Sequence, residues 1–308
     1  VNKVARIFSG KNIFSTTPTS KHADVVFPNP EYYYFKNMAS RIFWIPDFQE
    51  DHLPHLFTAE EIEARKNGQR RIAEEAPFLV LSSRSSKEDF DRLYPGSGTN
   101  VFVLNFAVVH PEFKSTDVSV LLRKYGLPEK YFFSPNQFWT HKNHIVILKA
   151  IGELKKRGME VMVAFSGKED DYRDPHYTQR LKDYVNENGL NDQVRFLGFL
   201  DRREQLQLMN HAVAVIQPSL FEGWSTVVED AKAMGQIVIA SDLNVHREQL
   251  GSWEGTSVFF KPDDFQELAG KMSDVLNGKL LRVDVDYLPN IRKYAQDFMN
   301  MVMEVSLK

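Results

Sequence analysis

The sequence predicts an α/β chain built from two open parallel sheets with helices on both faces. Three observations carry this. Short apolar runs without polar alternation, such as Phe78–Leu81 and 212–216, read as strands covered on both sides. Between such runs apolar residues recur at helical spacing, so strand and helix alternate along the chain. The strands end in polar turns such as Ser166-Gly167 and Ser241-Asp242, at the place where open α/β sheets bind ligands. The 308 residues suffice for two domains that each bury a core.

Composition narrows the function. Net charge is −3 with acids and bases mixed along the chain, so no sustained basic surface for nucleic acid is expected. There is no cysteine, which excludes a disulfide framework, a thiolate metal site and a cysteine nucleophile, and is compatible with a reducing intracellular compartment. No apolar run reaches the roughly 20 residues that cross a bilayer, and no signal-peptide core is present. The expectation is a soluble protein, at most peripheral to a membrane.

Taken in order, the chain opens Val1-Asn2-Lys3 without an initiator Met and reads as a fragment. The first strand is expected over 23–27, closed by Pro28, Asn29 and Pro30. Residues 41–45 form an apolar strand that delivers Pro46-Asp47-Phe48-Gln49 to a cleft. His52 and His55 behind it flank Pro54, off a shared helical face, and read as surface loop residues rather than a metal pair. Residues 58–75 are rich in Glu, Arg, Lys and Ala and read as an exposed helix, with Thr58 as N-cap and Glu61 at the capping-box position. Phe78–Leu81 is a buried strand, 82–89 a hydroxyl-rich turn expected to face the cleft, 95–98 a loop and 101–104 the last strand of this half. The linker is expected within 111–128.

The second half begins with a strand at 131–133 and a polar turn over 134–143, leading to a helix with Ile145, Leu148 and Ile151 inward. A strand at 160–165 is followed by Ser166 and Gly167, a helix runs to Gly189, and a strand at 194–197 leads to Gly198 and Phe199. Strand 212–216 ends at Pro218 and Ser219. Beyond it Val227, Val228, Ala231 and Met234 recur at helical spacing up to a stop at Gly235. Strands at 237–240 and 258–260 follow, and an amphipathic helix from Pro289 carries Ile291, Tyr294, Phe298 and Met301 on one face.

The stretch 217–235 organises this half. Glu222, Gly223, Trp224, Ser225 and Thr226 lie on the turn between a buried strand and a helix whose first N–H groups point back at that turn. Such a corner binds anions, and the acids beside it accept bonds from sugar hydroxyls, so phosphate plus polyol is the implied ligand. By itself the motif also describes an ordinary strand–turn–helix unit with solvated acids.

The stretch resembles the signature of the retaining glycosyltransferases of family 4, and the resemblance extends from about Tyr131 to Leu276. It implies the GT-B fold: two Rossmann-like, doubly wound parallel-sheet domains facing a cleft, here with the start of the N-terminal domain missing or reduced. The implied division is an acceptor-side domain over 1–125, a donor-binding domain over 126–288 and a terminal helix over 289–308 that packs back toward the first domain. In the family a glutamate is followed by seven residues and a second glutamate. Glu222 matches the first; strict spacing then selects Asp230, with Glu229 one place early. The strict register sets charged Glu229 and Lys232 where the family's helix carries apolar residues facing the sheet, a costly burial. Deleting one residue from the turn brings Glu229 into register, pointing away from the stripe of Val227, Val228 and Ala231. Glu229 is therefore the expected ribose-binding acid.

The family also carries an arginine and, five residues on, a lysine that grip the donor diphosphate. Lys142 matches the lysine and Gln137 occupies the arginine position. By the same resemblance Gly167 lies on the donor side and Gly198 and Phe199 border the nucleotide base, although Phe199 reads equally well as core; Asp47 and Gln49 fall on the acceptor side. The implied activity is transfer of a sugar, with retention at the anomeric carbon, from a nucleotide diphosphate sugar to an acceptor hydroxyl in glycan or cell-surface polysaccharide synthesis. Lys142 and the helix start at Ser225 and Thr226 would stabilise the departing diphosphate while Glu222 orients the sugar. No metal or other cofactor is implied beyond the nucleotide-sugar donor substrate. The implied partners are that donor and a glycan or lipid-linked acceptor, without nucleic acid, in the cytoplasm or at the inner face of a membrane. A nucleotide-sugar epimerase, a pyridoxal-dependent glycan phosphorylase and a non-catalytic nucleotide-sugar binder stay open as readings. A nicotinamide dehydrogenase does not, because no Gly-x-Gly-x-x-Gly follows any strand.

Overall fold

The apolar runs become two separate, wholly parallel sheets in the computed structural model, which describes residues 25–29, 40–251, 253 and 255–307. Of the expected first strand only Val25–Val26 (β1) is assigned; Ala23, Asp24 and Pro30 lie outside the described residues. The chain divides into two compact units. One takes the described residues of Val1–Phe48, Ala59–Asn105 and Lys293–Lys308, the other Gln49–Thr58 and Phe106–Arg292.

In the first unit β1 is followed by β2 (Ser40–Ile45), β3 (Phe78–Leu81) and β4 (Asn100–Val103), paired in that order. Successive residues of a strand face opposite sides of a sheet, so an unbroken apolar run needs two cores. Leu79 and Leu81 pack with Phe43, Phe48, Ala73 and Phe90 on one side. Phe78 and Val80 pack with Ile42 and Leu104 on the other, where the last turns of the helix Leu288–Ser306 add Met301 and Val305. The hydroxyl-rich turn after β3 is turned inward: Ser82, Ser83 and Ser86 are buried. Ser83 caps the helix Arg84–Leu93 by accepting from the Ser86 N–H at 3.0 Å, and Ser82 Oγ accepts from Trp44 Nε1 at 3.2 Å.

The second unit holds β5 (Phe132–Ser134), β6 (Val163–Phe165), β7 (Val194–Phe196), β8 (Ala214–Gln217), β9 (Val238–Ser241) and β10 (Ser257–Phe260). Their spatial order is β10-β9-β8-β5-β6-β7. The chain thus builds outward from β5 through β6 to β7, returns to the other side of β5 as β8, and builds outward again. Helices His144–Lys156, Tyr177–Glu187 and Phe265–Leu276 supply apolar residues to one core. Val118–Tyr125, Arg202–His211, Thr226–Ala233 and Asn244–Leu250 supply the other.

The helix Val118–Tyr125 lies inside the stretch expected to be linker. Asp117 caps it through the Ser119 N–H at 2.9 Å, and Gly126 closes it at φ 60°. Leu121 and Leu122 need an apolar surface and find it against Tyr131 and Leu208, so residues 106–125, counted with the first domain from sequence, pack in the second unit.

Candidate functional site

The strand order reverses between β5 and β8, and a crevice opens beyond the carboxyl ends of strands at such a reversal. The turns leaving these two strands carry Lys142 and Glu222. After β5 the chain runs through Phe138 and Trp139 into a short 3-10 turn, Thr140–Lys142, and then Asn143, which adopts the left-handed conformation at φ 54°. Asn143 Nδ2 donates to the Pro218 carbonyl at 3.1 Å and the Pro262 carbonyl at 2.8 Å, and Leu220 N–H donates to the His141 carbonyl at 2.8 Å. The turns after β5, β8 and β10 are thereby fastened together.

Expected to act separately, Lys142 and Glu222 meet. Lys142 Nζ lies 2.6 Å from Glu222 Oε1, with the two side chains 14% and 9% exposed. The same oxygen accepts from Ser219 Oγ at 2.6 Å and Gln217 Nε2 at 2.8 Å, so three donors converge on Oε1 while Oε2 has no partner among the described residues. Burial, the largest single influence, would raise the Glu222 pKa, but the charge and hydrogen bond of Lys142 together with the neighbouring His141 and His246 bring the carboxyl down to about 2. His141 and His144 flank Lys142, and burial lowers both to about 3; His246 is buried and lowered in the same way. The site is a carboxylate and an ammonium set among neutral imidazoles.

Gln137, Gly167 and Gly198 come together at the ends of β5, β6 and β7. Gln137 Oε1 accepts from the Lys168 N–H at 3.0 Å, and Gly167 N–H donates to the Gly198 carbonyl at 2.9 Å. A Cβ on Gly167 would sit 2.2 Å from the Asn136 carbonyl oxygen, so only glycine lets these turns touch. Phe199 is 77% exposed, which removes the reading of it as a core residue. Ser225 caps the signature helix, its Oγ accepting from the Val228 N–H at 3.4 Å, with Gly223 buried and Thr226 exposed beside it. Trp224 is tied down, its Nε1 donating to the Phe106 carbonyl at 3.0 Å.

Glu229, expected to be spared a costly burial, is buried among polar partners of its own. Its carboxylate is buried, with Oε1 accepting from Lys232 Nζ and Gln249 Nε2, both at 3.0 Å, and Oε2 from the Tyr287 hydroxyl. Asp230, also buried, uses Oδ1 for Arg202 at 2.5 Å and His110 at 2.9 Å, leaving Oδ2 without a partner among the described residues. Gln49 accepts from Arg173 Nη1 at 3.0 Å within the second unit, while Asp47 belongs to the first. His52, read as a plain loop residue, lays its ring on Phe221 at 4.8 Å between centroids, one residue before Glu222. His141, Gln249, Arg202 and Tyr287 escaped the sequence reading because their partners are distant in the chain, and His246 because its bond runs to the Ser241 backbone carbonyl. Their signal was a polar residue just beyond a strand's carboxyl end, as with His246 after β9.

Among the described residues no cluster of acids and histidines could hold a metal ion, and no helix is long and apolar enough to cross a membrane.

The family model described as glycosyl transferases group 1 matches residues 121–296. The serotype-specific mannosyltransferase WbdA of Escherichia coli is 26% identical over 176 residues, covering 56% of this chain and 20% of that protein. The putative glycosyltransferase EpsF of Bacillus subtilis is 30% identical over 106 residues, covering 34% of this chain and 26% of its own length. The chain thus spans about a fifth to a quarter of these relatives. Among solved structures, HepE of Anabaena, crystallised with UDP and glucose, superposes with a TM-score of 0.69 at 17% identity, covering 87% of this chain and 71% of that one. Sucrose-phosphate synthase of Thermosynechococcus elongatus gives 0.63 at 19% identity over 78% and 59%. At these identities the structural likeness shows the fold, an α/β chain with two parallel sheets of the GT-B class.

Proposed function

The chain belongs to the group 1 glycosyl transferases, and from that we infer that it moves a sugar from a nucleoside diphosphate sugar to an acceptor hydroxyl, with retention at the anomeric carbon. The observation that carries this reading is the Lys142–Glu222 pair at the β5–β8 reversal. Lys142 spends one of its N–H donors on Glu222 and keeps others for diphosphate oxygens. As the bond from the sugar to the phosphate breaks, negative charge grows on the departing diphosphate. A pre-placed ammonium in a site sheltered from water stabilises that charge without reorganising. Glu222, held ionised by Lys142, offers Oε2 to a sugar hydroxyl.

The nucleotide in this reading lies along the ends of β5, β6 and β7. The backbone at Gly167 and Gly198 approaches it closely, and exposed Phe199 offers a face for the base. Asp230 is the better ribose-binding acid, because it keeps one oxygen unpartnered while Glu229 has none left. WbdA is named for mannose and HepE was solved with UDP and glucose, so a hexosyl donor is the first to try. The acceptor would be a glycan or a lipid-linked glycan at the cytoplasmic face of a membrane, with Asp47 and Gln49 as the acceptor-side candidates. Lysine, backbone and helix N–H groups supply the positive charge, so no resident cofactor is part of this reading.

The test is calorimetric titration of UDP, GDP and their glucose and mannose conjugates into wild type and Lys142→Ala. Loss of a charge-assisted contact should weaken binding of the preferred nucleotide by about 10- to 100-fold, roughly 1.5–3 kcal/mol. Equal affinity in the two proteins would remove Lys142 from the site. With an acceptor present, NMR of the product should show the donor's own anomeric configuration; an inverted product ends the retaining reading.

A further inference from the structure

His246 lies in the helix Asn244–Leu250 that follows β9, and it is fully buried. Its Nδ1 is 2.8 Å from the carbonyl oxygen of Ser241. A carbonyl only accepts, so Nδ1 carries the proton and donates it. Ser241 Oγ, 3.3 Å from the same nitrogen, points its own proton at the Ser219 carbonyl 2.5 Å away and leaves the assignment unchanged. The ring is neutral, and its Nε2 is a bare lone pair, buried and without a partner among the described residues.

The same reasoning fixes Gln217. Its Nε2 lies 2.8 Å from a Glu222 oxygen and 3.0 Å from Ser219 Oγ; a carboxylate cannot donate, so the amide nitrogen must face it. That leaves Gln217 Oε1 buried and unpartnered. Glu222 Oε2 is the third unpartnered atom, since all three donors sit on Oε1. Ser219 joins the group: its Oγ bonds both Gln217 and Glu222, and its carbonyl accepts from Ser241, which holds His246. Glu222 also acts electrostatically on the His246 ring.

Three acceptor atoms without a partner among the described residues come from the end of β8, the turn after it and the helix after β9, and two of them, Gln217 Oε1 and His246 Nε2, are buried. Native proteins rarely leave such atoms unpaired. We propose that this acceptor-only set reads the hydroxyls of the transferred sugar, that His246 is a specificity-determining residue, and that the donor is a neutral hexose conjugate rather than a uronate. A hydroxyl brings the proton that the cluster lacks. A carboxylate brings lone pairs and a second negative charge toward Glu222. The proposal rests on the nucleotide-sugar reading above.

The experiment measures affinities of His246→Phe and His246→Gln for UDP, UDP-glucose and UDP-glucuronate, with GDP and GDP-mannose in parallel. Phenylalanine keeps the ring's bulk without an acceptor, and glutamine keeps an acceptor. Wild type should prefer the neutral hexose conjugate over the uronate. His246→Phe should bind the hexose conjugate about tenfold more weakly, as expected for one lost hydrogen bond, with the nucleoside diphosphate unchanged. His246→Gln should recover part of the loss. Equal binding of UDP-glucose by wild type and His246→Phe overturns the proposal, and so does an equal loss of UDP and UDP-glucose in both variants, which marks a structural role. If wild type binds no nucleotide at all, the transferase reading fails and the proposal falls with it.

Discussion

Glu229 and Lys232 show how a charge can be misjudged from its neighbours in the chain. Burying either alone would be costly, which argued from sequence for a register that keeps Glu229 outside. The structure buries both, 2% and 7% exposed, because they neutralise each other at 3.0 Å. Gln249 and Tyr287, which complete the pair's bonding, lie 20 and 58 residues further on, and Trp253 stands 5.9 Å from the Lys232 ammonium. A helical wheel contains none of these partners, whereas Glu222 was legible because its turn carries its own glycine and hydroxyls. Glu229→Gln leaves Lys232 charged and uncompensated in the interior, so unfolding in denaturant should show a loss of about 3–5 kcal/mol. Nucleotide affinity, measured where the variant is folded, should hardly change. Asp230→Asn should show the opposite balance, a larger loss of donor affinity than of stability. The reverse ranking of the two variants would return the ribose to Glu229.

At the scale of elements, Gly235 connects a helix to a segment that no local pattern reveals. It ends the signature helix at φ 62°, and a Cβ there would lie 1.9 Å from the Val283 carbonyl oxygen. Val283 N–H returns a bond to the Gly235 carbonyl at 3.3 Å, four residues before the tyrosine that holds Glu229. Gly235→Ala should therefore cost more than the roughly 1–2 kcal/mol of left-handed backbone strain alone, because backbone atoms must also move. Melting of the variant within a degree of wild type would show that the 283–287 segment yields freely. The glycine stop itself was legible, as were the strands, since a run such as Val215-Ile216 buried on both faces leaves no other reading. Strand ends moved by a residue or two, as with 212–216 against Ala214–Gln217, because pairing rather than hydropathy sets where a strand stops. Val118–Tyr125 went unread for a different reason. At two turns, between Pro111 and Pro128, it has too little apolar periodicity, and it is fixed in the second unit by Leu121, Leu122 and the Lys124–Glu204 pair at 2.7 Å.

For the molecule as a whole, the buried imidazoles set a direction for pH. His141 and His144 have native pKa values near 3 where the ordinary value is 6.5, burial being the main cause. Below pH 6.5 the unfolded chain binds protons that the native state refuses, so stability is fully present above 6.5 and declines as pH falls toward 3. Each histidine contributes about 1.4 kcal/mol per pH unit to that decline. Glu222 adds to it lower down: its ordinary value is 4.5 and its native value about 2, so its contribution is present above 4.5 and lost as pH falls from there toward 2. Denaturant midpoints should be flat above pH 7, fall from 6.5 and steepen below 4.5. His144 stacks on Phe138 with ring centroids 4.6 Å apart and planes 3° from parallel, so His144→Phe preserves the stack and deletes one titrating group. That variant should lose about one histidine's share of the slope between pH 6 and 5. An acid slope identical to wild type would mean that His144 takes up its proton in the native state and is not held neutral by the fold.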